Sequence, residues 1–365
     1  AAMRMLMTIF GVTGSVALLF TGFGVQHSIS EIKDRQFGSI IKYDMIVAEN
    51  MDTNTDKLYK MLEADDVKEY TKVYYDDASI QAGDKDDRSE VKVIIPETQK
   101  DFAKYIGLDH RETKTKIHLK DDGVVISERL AELLHVSKGD TFTYTDANNH
   151  KRKVKVSDIC EMHTGHFIFM NKAEYENVYN TTYTENAFLV NLKNNSLHNT
   201  EKVSEKFMEL DSVKGIVQNT TLTTLIDTIV KSLNKIMEVL ILIATLLSIV
   251  ILYNLTNINV CERIRELSTI KVLGFYENEV TMYIYRETIL LSIIGIIVGW
   301  FVGMWLHHYI LVTVPPEDVM FNPVRWIGAY IVPLVLIFVV LFILKFFINK
   351  KLKNVDMLEA LKSVD

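Results

Sequence analysis

Four apolar segments, Met5–Val25, Val239–Ile258, Thr288–Val314 and Trp326–Leu344, constrain this chain more than any other feature. Each approaches or exceeds the roughly 20 apolar residues that a helix needs to cross a bilayer. A soluble core hides one such helix, not four. The expected fold is therefore an α+β membrane protein with four transmembrane helices and a large domain between helices 1 and 2. The first segment is too long for the roughly 7–15-residue apolar region of a signal peptide, and Gly22–His27 lacks a small-x-small cleavage pattern. It reads as an uncleaved span. The abrupt opening, Ala1-Ala2-Met3, reads as that of a fragment of a longer polypeptide.

Positive charge orients the spans. Arg4, the group Arg263, Arg265 and Lys271, and the group Lys345, Lys350, Lys351 and Lys353 all fall on one side, which is expected to be the cytoplasm. Both termini are then inside, and Ser28–Lys235 and Pro315–Arg325 are outside. Of the 40 basic and 47 acidic residues, 29 and 36 lie within residues 28–235, so that region carries the net −7 of the whole chain. An acidic outer domain argues against a nucleic-acid partner. Cys160 and Cys261 fall on opposite sides under this topology, so no disulfide is expected between them.

Residues 1–27 form the first span and 28–41 a helical stalk. Strand and helix patterns then run β-α-β-β over residues 42–106, with Thr53 a helix cap and Ala82–Ser89 a polar turn. After a gap they run β-α-β over 183–219. This order predicts a split βαβ, ferredoxin-like sandwich. Residues 107–182 read as an inserted, mostly-β subdomain, with Ser127 capping a short helix after a strand. A second stalk, 220–238, continues into the second span, 239–258, with no Gly or Pro between Leu222 and Leu255. A cytoplasmic helix is expected at 259–281, spans at 282–314 and 326–348, an outer loop at 315–325 and a tail at 349–365. In the tail, Val355–Leu361 reads as a short amphipathic helix. Pro333 interrupts the fourth span.

Gly295, Gly299 and Gly303, four apart, predict a close helix contact, within the bundle or across a dimer. Arg286 and Glu287, at the start of the third span, are candidates for coupling or for interface anchoring. His307 and His308 are expected at the interface. No phosphate-cradling, zinc-protease or serine-hydrolase motif occurs, so no catalytic residue is expected. Cys160-x-x-His163-x-x-His166 has ligand residue types, but spacing three on a strand throws side chains to opposite faces, so no metal site is expected.

The charged stretch Asn259–Val280 lies between two spans and must sit in water, where a cytosolic partner can push on it. Its residues Glu262, Arg263, Arg265, Glu266, Lys271, Leu273 and Gly274 resemble the Glu-Arg-x-Arg-Glu-(x)-Lys-x-Leu-Gly segment of FtsX-like, MacB-like permeases. Gly123–Thr143 resembles the strand-helix-Gly-Asp pattern of that family's inserted "sabre" subdomain. Asn354–Leu361 resembles its Val-Asp-Pro-x-Glu-Ala-Leu tail, with Met357 replacing the proline. The amphipathic segment that precedes the first span in the family is missing. That resemblance implies the C-terminal half of a two-repeat permease in a bacterial cell membrane, with a porter-like subdomain carrying the sabre.

By the same resemblance, the seven residues above would couple to a separate cytosolic ABC ATPase dimer, which binds ATP and magnesium. This chain itself would hold no cofactor. A second permease repeat or protomer, the lipid bilayer and an extracytoplasmic protein are further expected partners. ATP-driven closure would move the outer domain, an action called mechanotransmission, and export or extract a lipid, peptide or antimicrobial. The alternative is a signal transmitter that activates a cell-wall hydrolase or sensor kinase without transport.

Overall fold

The computed structural model describes residues 2–82 and 88–353. The predicted end helix at Val355–Leu361 lies outside the described residues. The chain forms two compact units, one of Ala1–Ser30, Lys231–Val314 and Pro323–Asp365, the other of Glu31–Val230 and Pro315–Asn322.

The chain opens with α1 (Ala2–Asp34), which widens into a π-helical segment, Arg35–Ile40. The second unit then runs β1 (Met45–Glu49), α2 (Asp56–Leu62), β2 (Val67–Gln81), β3 (Arg88–Pro96), α3 (Gln99–Phe102), β4 (Val124–Ser127) and α4 (Glu128–Leu134). It continues with β5 (Thr141–Thr145), β6 (Lys151–Cys160), β7 (Phe167–Phe169), α5 (Lys172–Tyr179), β8 (Ala187–Leu192), α6 (Leu197–Met208) and β9 (Val213–Gln218).

Strands β2, β8, β1 and β9 lie side by side in that order, every neighbouring pair antiparallel. This is the split βαβ arrangement. Residues that alternate along the strands, Met45 and Val47 on β1 and Phe188 and Val190 on β8, form one apolar face. Leu58 and Leu62 of α2 and Val203 and Phe207 of α6 cover it. Thr53 is not the cap of α2. The helix starts at Asp56, whose N–H donates to Asn54 Oδ1 at 2.8 Å, and the Thr53 hydroxyl donates to the Asn50 carbonyl.

The remaining strands close on themselves. β3 pairs with β2, β7 with β3, β4 with β7, β6 with β4 and β5 with β6, and Ser79 of β2 pairs with Thr145 of β5. The result is a six-stranded ring that shares β2 with the ferredoxin-like sheet. Alternate residues fill it: Val91, Val93 and Ile95 on β3, Val124 and Ile126 on β4, Phe142 and Tyr144 on β5, Val154 and Val156 on β6. Ser127 precedes α4, but its hydroxyl does not cap that helix; it accepts the Phe167 N–H at 3.0 Å and joins β4 to β7.

The helical unit continues with α7 (Asn219–Glu262), α8 (Ile264–Val272), α9 (Glu277–Thr313) and α10 (Gly328–Lys353, with Pro333 inside it). α1, α7, α9 and α10 are each long and apolar enough to cross a membrane.

Candidate functional site

α7 ends at Glu262, and the chain re-enters a helix at once, with Arg263 at its N-cap position. α8 shows period-3.6 amphipathicity. Leu267 is fully buried beside Val280, Ile284, Ile348 and Leu352, and Ile270 packs on the same cluster. Burying a leucine contributes about 2 kcal/mol, so Leu267 fixes the short helix to α9 and α10.

The helix then reverses. Gly274 has φ +96°, a left-handed conformation that ends helices and favours glycine. α9 restarts three residues later, at Glu277, and its Glu279 carboxylate accepts the Tyr276 N–H at 2.9 Å. Glu277 and Glu279 both lie in the first turn, where the helix dipole favours them, and Lys271 reaches Glu277 at 3.6 Å.

The tip of this reversal is apolar and uncovered. Leu273 is 72% and Tyr276 79% exposed, and Val272 and Phe275 are more than half exposed. Arg265 and Glu266 are exposed on α8, with Glu262 just before it. Sequence reasoning singled out Leu273 and Gly274 but missed Val272, Phe275 and Tyr276. The signal was present: Val-Leu-Gly-Phe-Tyr is an apolar run in a segment otherwise rich in charge.

Behind the tip lies an ion-pair cluster. Glu287 pairs with Arg263 at 2.5 Å and with Arg4 at 3.8 Å, and Arg4 also pairs with Glu262. Glu287 thus ties α9 to α1 and to the α7–α8 junction. Arg286 is exposed and stands outside this cluster. The structure therefore separates residues that sequence had grouped: Arg263 turns back to Glu287 and Glu262 reaches Arg4, whereas Arg265, Glu266 and Leu273 face outward.

The glycine stripe faces α1. A Cβ on Gly295 would lie 2.8 Å from Val12 Cβ, on Gly299 2.7 Å from Val16 Cβ, and on Gly303 2.9 Å from Phe20 Cβ. The Thr13 hydroxyl donates to the Gly295 carbonyl at 3.1 Å. Gly11 and Gly22 of α1 meet Ile251 and Ile241 of α7 in the same way. α1 is thus held between α7 and α9 by backbone-close contacts. His307, expected at the interface, is instead buried against Gly24 and Phe20, with Ser28 Oγ at 3.4 Å.

In the sheet unit, the Cys-x-x-His-x-x-His residues diverge. Cys160 is buried in the apolar core, which pushes its thiol far up. His163 Nε2 lies 3.0 Å from Glu161 Oε1 and its Nδ1 3.2 Å from the Met320 carbonyl. Both ring nitrogens thus lie within hydrogen-bond reach of an oxygen. Glu161 also receives a forked bond from Arg35 and one from Lys114 at 3.0 Å. Burial works to raise the Glu161 carboxyl, but the bonds from His163 and Arg35 together hold it below the usual carboxylate range. His166 is buried with neither ring nitrogen hydrogen-bonded, and desolvation lowers it against the opposing pull of Asp318 and Glu317.

The segment between α9 and α10 joins this unit. Thr164 and Val319 form an antiparallel bridge, Gly165 N donates to Asp318 O at 2.7 Å and Met320 N to His163 O at 2.8 Å. Arg129 donates to the Glu317 carbonyl.

Comparison with known proteins gives one family. Residues 238–361 match the FtsX-like permease C-terminal model. No curated protein matches the chain. Among solved structures, the periplasmic region of MacB from Actinobacillus actinomycetemcomitans is similar at 11% identity and TM-score 0.27, covering 52% of this chain and 95% of that one. The extracellular domain of the noncanonic ABC-type transporter YknZ from Gram-positive bacteria is similar at 12% identity and TM-score 0.25, covering 47% of this chain and 99% of that one.

Proposed function

We propose that this chain, whose residues 238–361 match the FtsX-like permease C-terminal model, couples ATP hydrolysis by a separate cytosolic ABC ATPase to movement of its sheet unit. The tip Val272–Tyr276 carries this reading. Four exposed apolar residues around a left-handed glycine, beside the exposed charges of α8, make a compact knob that water covers poorly. A groove in a soluble partner suits it. Arg4, Arg263 and Glu287 lie behind the knob and connect it to the spans, so a push on α8 is taken up by α1 and α9.

On this reading the knob side faces the cytoplasm of a bacterial cell, and both termini share that side. The sheet unit lies outside and acts on a lipid, peptide or antimicrobial in the outer leaflet. ATP and magnesium belong to the partner. Arg263 is a poor probe, because reversing its charge also breaks the pair with Glu287. Leu273→Asp and Tyr276→Asp are better, since both side chains are exposed.

The test is affinity purification of the full chain in mild detergent. The wild type should retain an ABC ATPase, and the two variants should lose it while keeping the same thermal transition. Equal retention by wild type and variants overturns the knob, and no ATPase with any of them overturns the coupling itself. If the ATPase is retained, its stimulation by added lipid or peptide supports transport, and stimulation only by an outer protein moves the function to signalling.

A further inference from the structure

A cavity of about 470 Å3 opens in the sheet unit, between α3 with the turn that follows it and the returning residues 116–118. Small-ligand pockets span about 300–1,000 Å3, so the space suits one small molecule. The sequence dictates its floor. Phe102, Ile106 and Leu108 turn inward, whereas Lys100, Asp101 and Lys104 stay in water. Ile117 completes the floor from the returning chain, where its N–H donates to the Leu108 carbonyl at 2.8 Å. All four apolar residues are at most 6% exposed, so the cavity ends on the core itself. Gln99 sets its width. Its Nε2 donates to the Ile117 carbonyl at 2.7 Å and its Oε1 accepts the Leu119 N–H at 2.9 Å. One side-chain amide thus stands where a neighbouring strand would, and holds residues 117–119 away from α3.

The mouth is basic, although the unit around it is acidic. Lys42, Lys100, Lys116 and His118 are exposed there, and Asp109 is the one carboxylate among the lining residues. Lys42 is held by the Ala103 carbonyl at 3.2 Å. Lys100 and Lys116 form no ion pair among the described residues, unlike Lys104 and Lys114, which reach Asp101 and Glu161. An ammonium on a flexible stem follows an anionic head group readily. The backbone around the floor is already engaged: Lys42 takes the Ala103 carbonyl, Ile40 the Gly107 N–H, Ile117 the Leu108 carbonyl and Gln99 the Ile117 carbonyl. Those four groups are closed to the main chain of a peptide. An apolar chain needs no such groups and gains by leaving water.

We infer that this cavity binds a single-chain amphiphile with an acidic head group, its acyl chain on Phe102, Ile106, Leu108 and Ile117 and its head between Lys100 and Lys116. The inference rests on the reading that the sheet unit acts on a lipid, peptide or antimicrobial, and gives that reading a site and a ligand class. Binding needs no ATPase, so the two fail separately: labelling at this site in preparations that retain no ATPase removes the coupling alone, and retention of an ATPase without labelling removes the site alone.

Photolabelling of the purified full chain in mild detergent tests it. A fatty acid with a diazirine in its chain should label residues 99–118, and the matching alcohol should do so several-fold less. The lysines are exposed, so added salt should lower labelling by the acid and leave the alcohol unchanged. Lys100→Glu combined with Lys116→Glu should reduce labelling by the acid several-fold. Ala103→Trp, at an exposed position on the cavity wall, should reduce labelling by both probes. Thermal transitions matching the wild type show that the variants fold; where one melts early, the comparison of acid with alcohol on the wild type decides. Equal labelling by acid and alcohol overturns the acidic head. Label found only in the membrane helices overturns the site, and displacement by an acidic peptide but not by the unlabelled fatty acid overturns the ligand class.

Discussion

Arg35 grips Glu161 with a fork: Nη2 lies 2.7 Å from Oε2 and 2.9 Å from Oε1, with Nε 3.2 Å from Oε1. Arg35 begins the π-helical end of α1, and Glu161 follows the last residue of β6. Gln36, also in that segment, accepts the His163 N–H at 2.8 Å. The widened helix thus presents two consecutive polar side chains to the 161–164 turn, which in turn holds Val319 and Met320.

Replacing Glu161 with alanine leaves His163 buried and Arg35 half-covered without their carboxylate. The expected loss is about 3 kcal/mol, as for removing one partner of a buried pair. Arg35→Ala should cost less, about 1 kcal/mol, because the guanidinium is partly solvated and Lys114 still reaches Glu161. Thermal unfolding of the full chain in detergent measures both; equal losses would show that the fork is not where the stability resides.

Acid should destabilise the sheet unit in two steps. His166 is held below its ordinary value, so the unfolded chain takes up that proton first. Stability is level above about pH 6.5 and falls below it. Glu161 is held below its ordinary value too. Its contribution is present above about pH 4.3 and is lost as pH falls through the lower folded value. His166→Leu should flatten the first step and Glu161→Gln the second, both read from midpoints of denaturant unfolding against pH. An unchanged slope between about pH 6.5 and 5 in His166→Leu would remove the imidazole from the account.

Gly299→Ala should weaken the α1–α9 contact by about 1–3 kcal/mol, since its Cβ would stand 2.7 Å from Val16 Cβ. Gly14→Ala is the control, because nothing lies within 4 Å of its added carbon. It should be neutral or slightly stabilising. Melting temperatures of the two variants in detergent decide; equal shifts would mean that the stripe is not a packing surface.

Gly274→Ala places a side chain in a left-handed turn with open space around it. The cost is conformational alone, about 1 kcal/mol. Global melting should barely change, while ATPase retention or stimulation falls as the Val272–Tyr276 tip loses its shape. Full coupling in this variant would show that the turn need not be held left-handed.

Hydropathy and charge, summed along the chain, were enough to establish four spans, a large domain between the first two, and a charged helix between the second and third. These are local properties: about 20 apolar residues make a span wherever they stand, and Gly274 ends α8 because no neighbour needs to be consulted. The order of strands around residues 42–106 and 183–219 was also legible, since each strand's alternation and each helix's stripe is written over a few consecutive residues. Tertiary structure alone decided the pairings. β3 looks like a partner of β2 only, yet it also joins β7 and closes a ring, because hydrogen bonding between strands depends on residues some 75 positions apart in the chain. Ser127 has the right place for a cap, but its hydroxyl accepts the Phe167 N–H from a strand 40 residues away instead. Arg263 and Arg265 read alike as members of one charged segment, and Glu287 as a residue at the start of the third span; only the fold set Glu287 between Arg4 and Arg263 and turned Arg265 outward. The Gly295–Gly303 stripe announced a close contact, but which helix fills it depends on where Val12, Val16 and Phe20 come to lie, and nothing local encodes that.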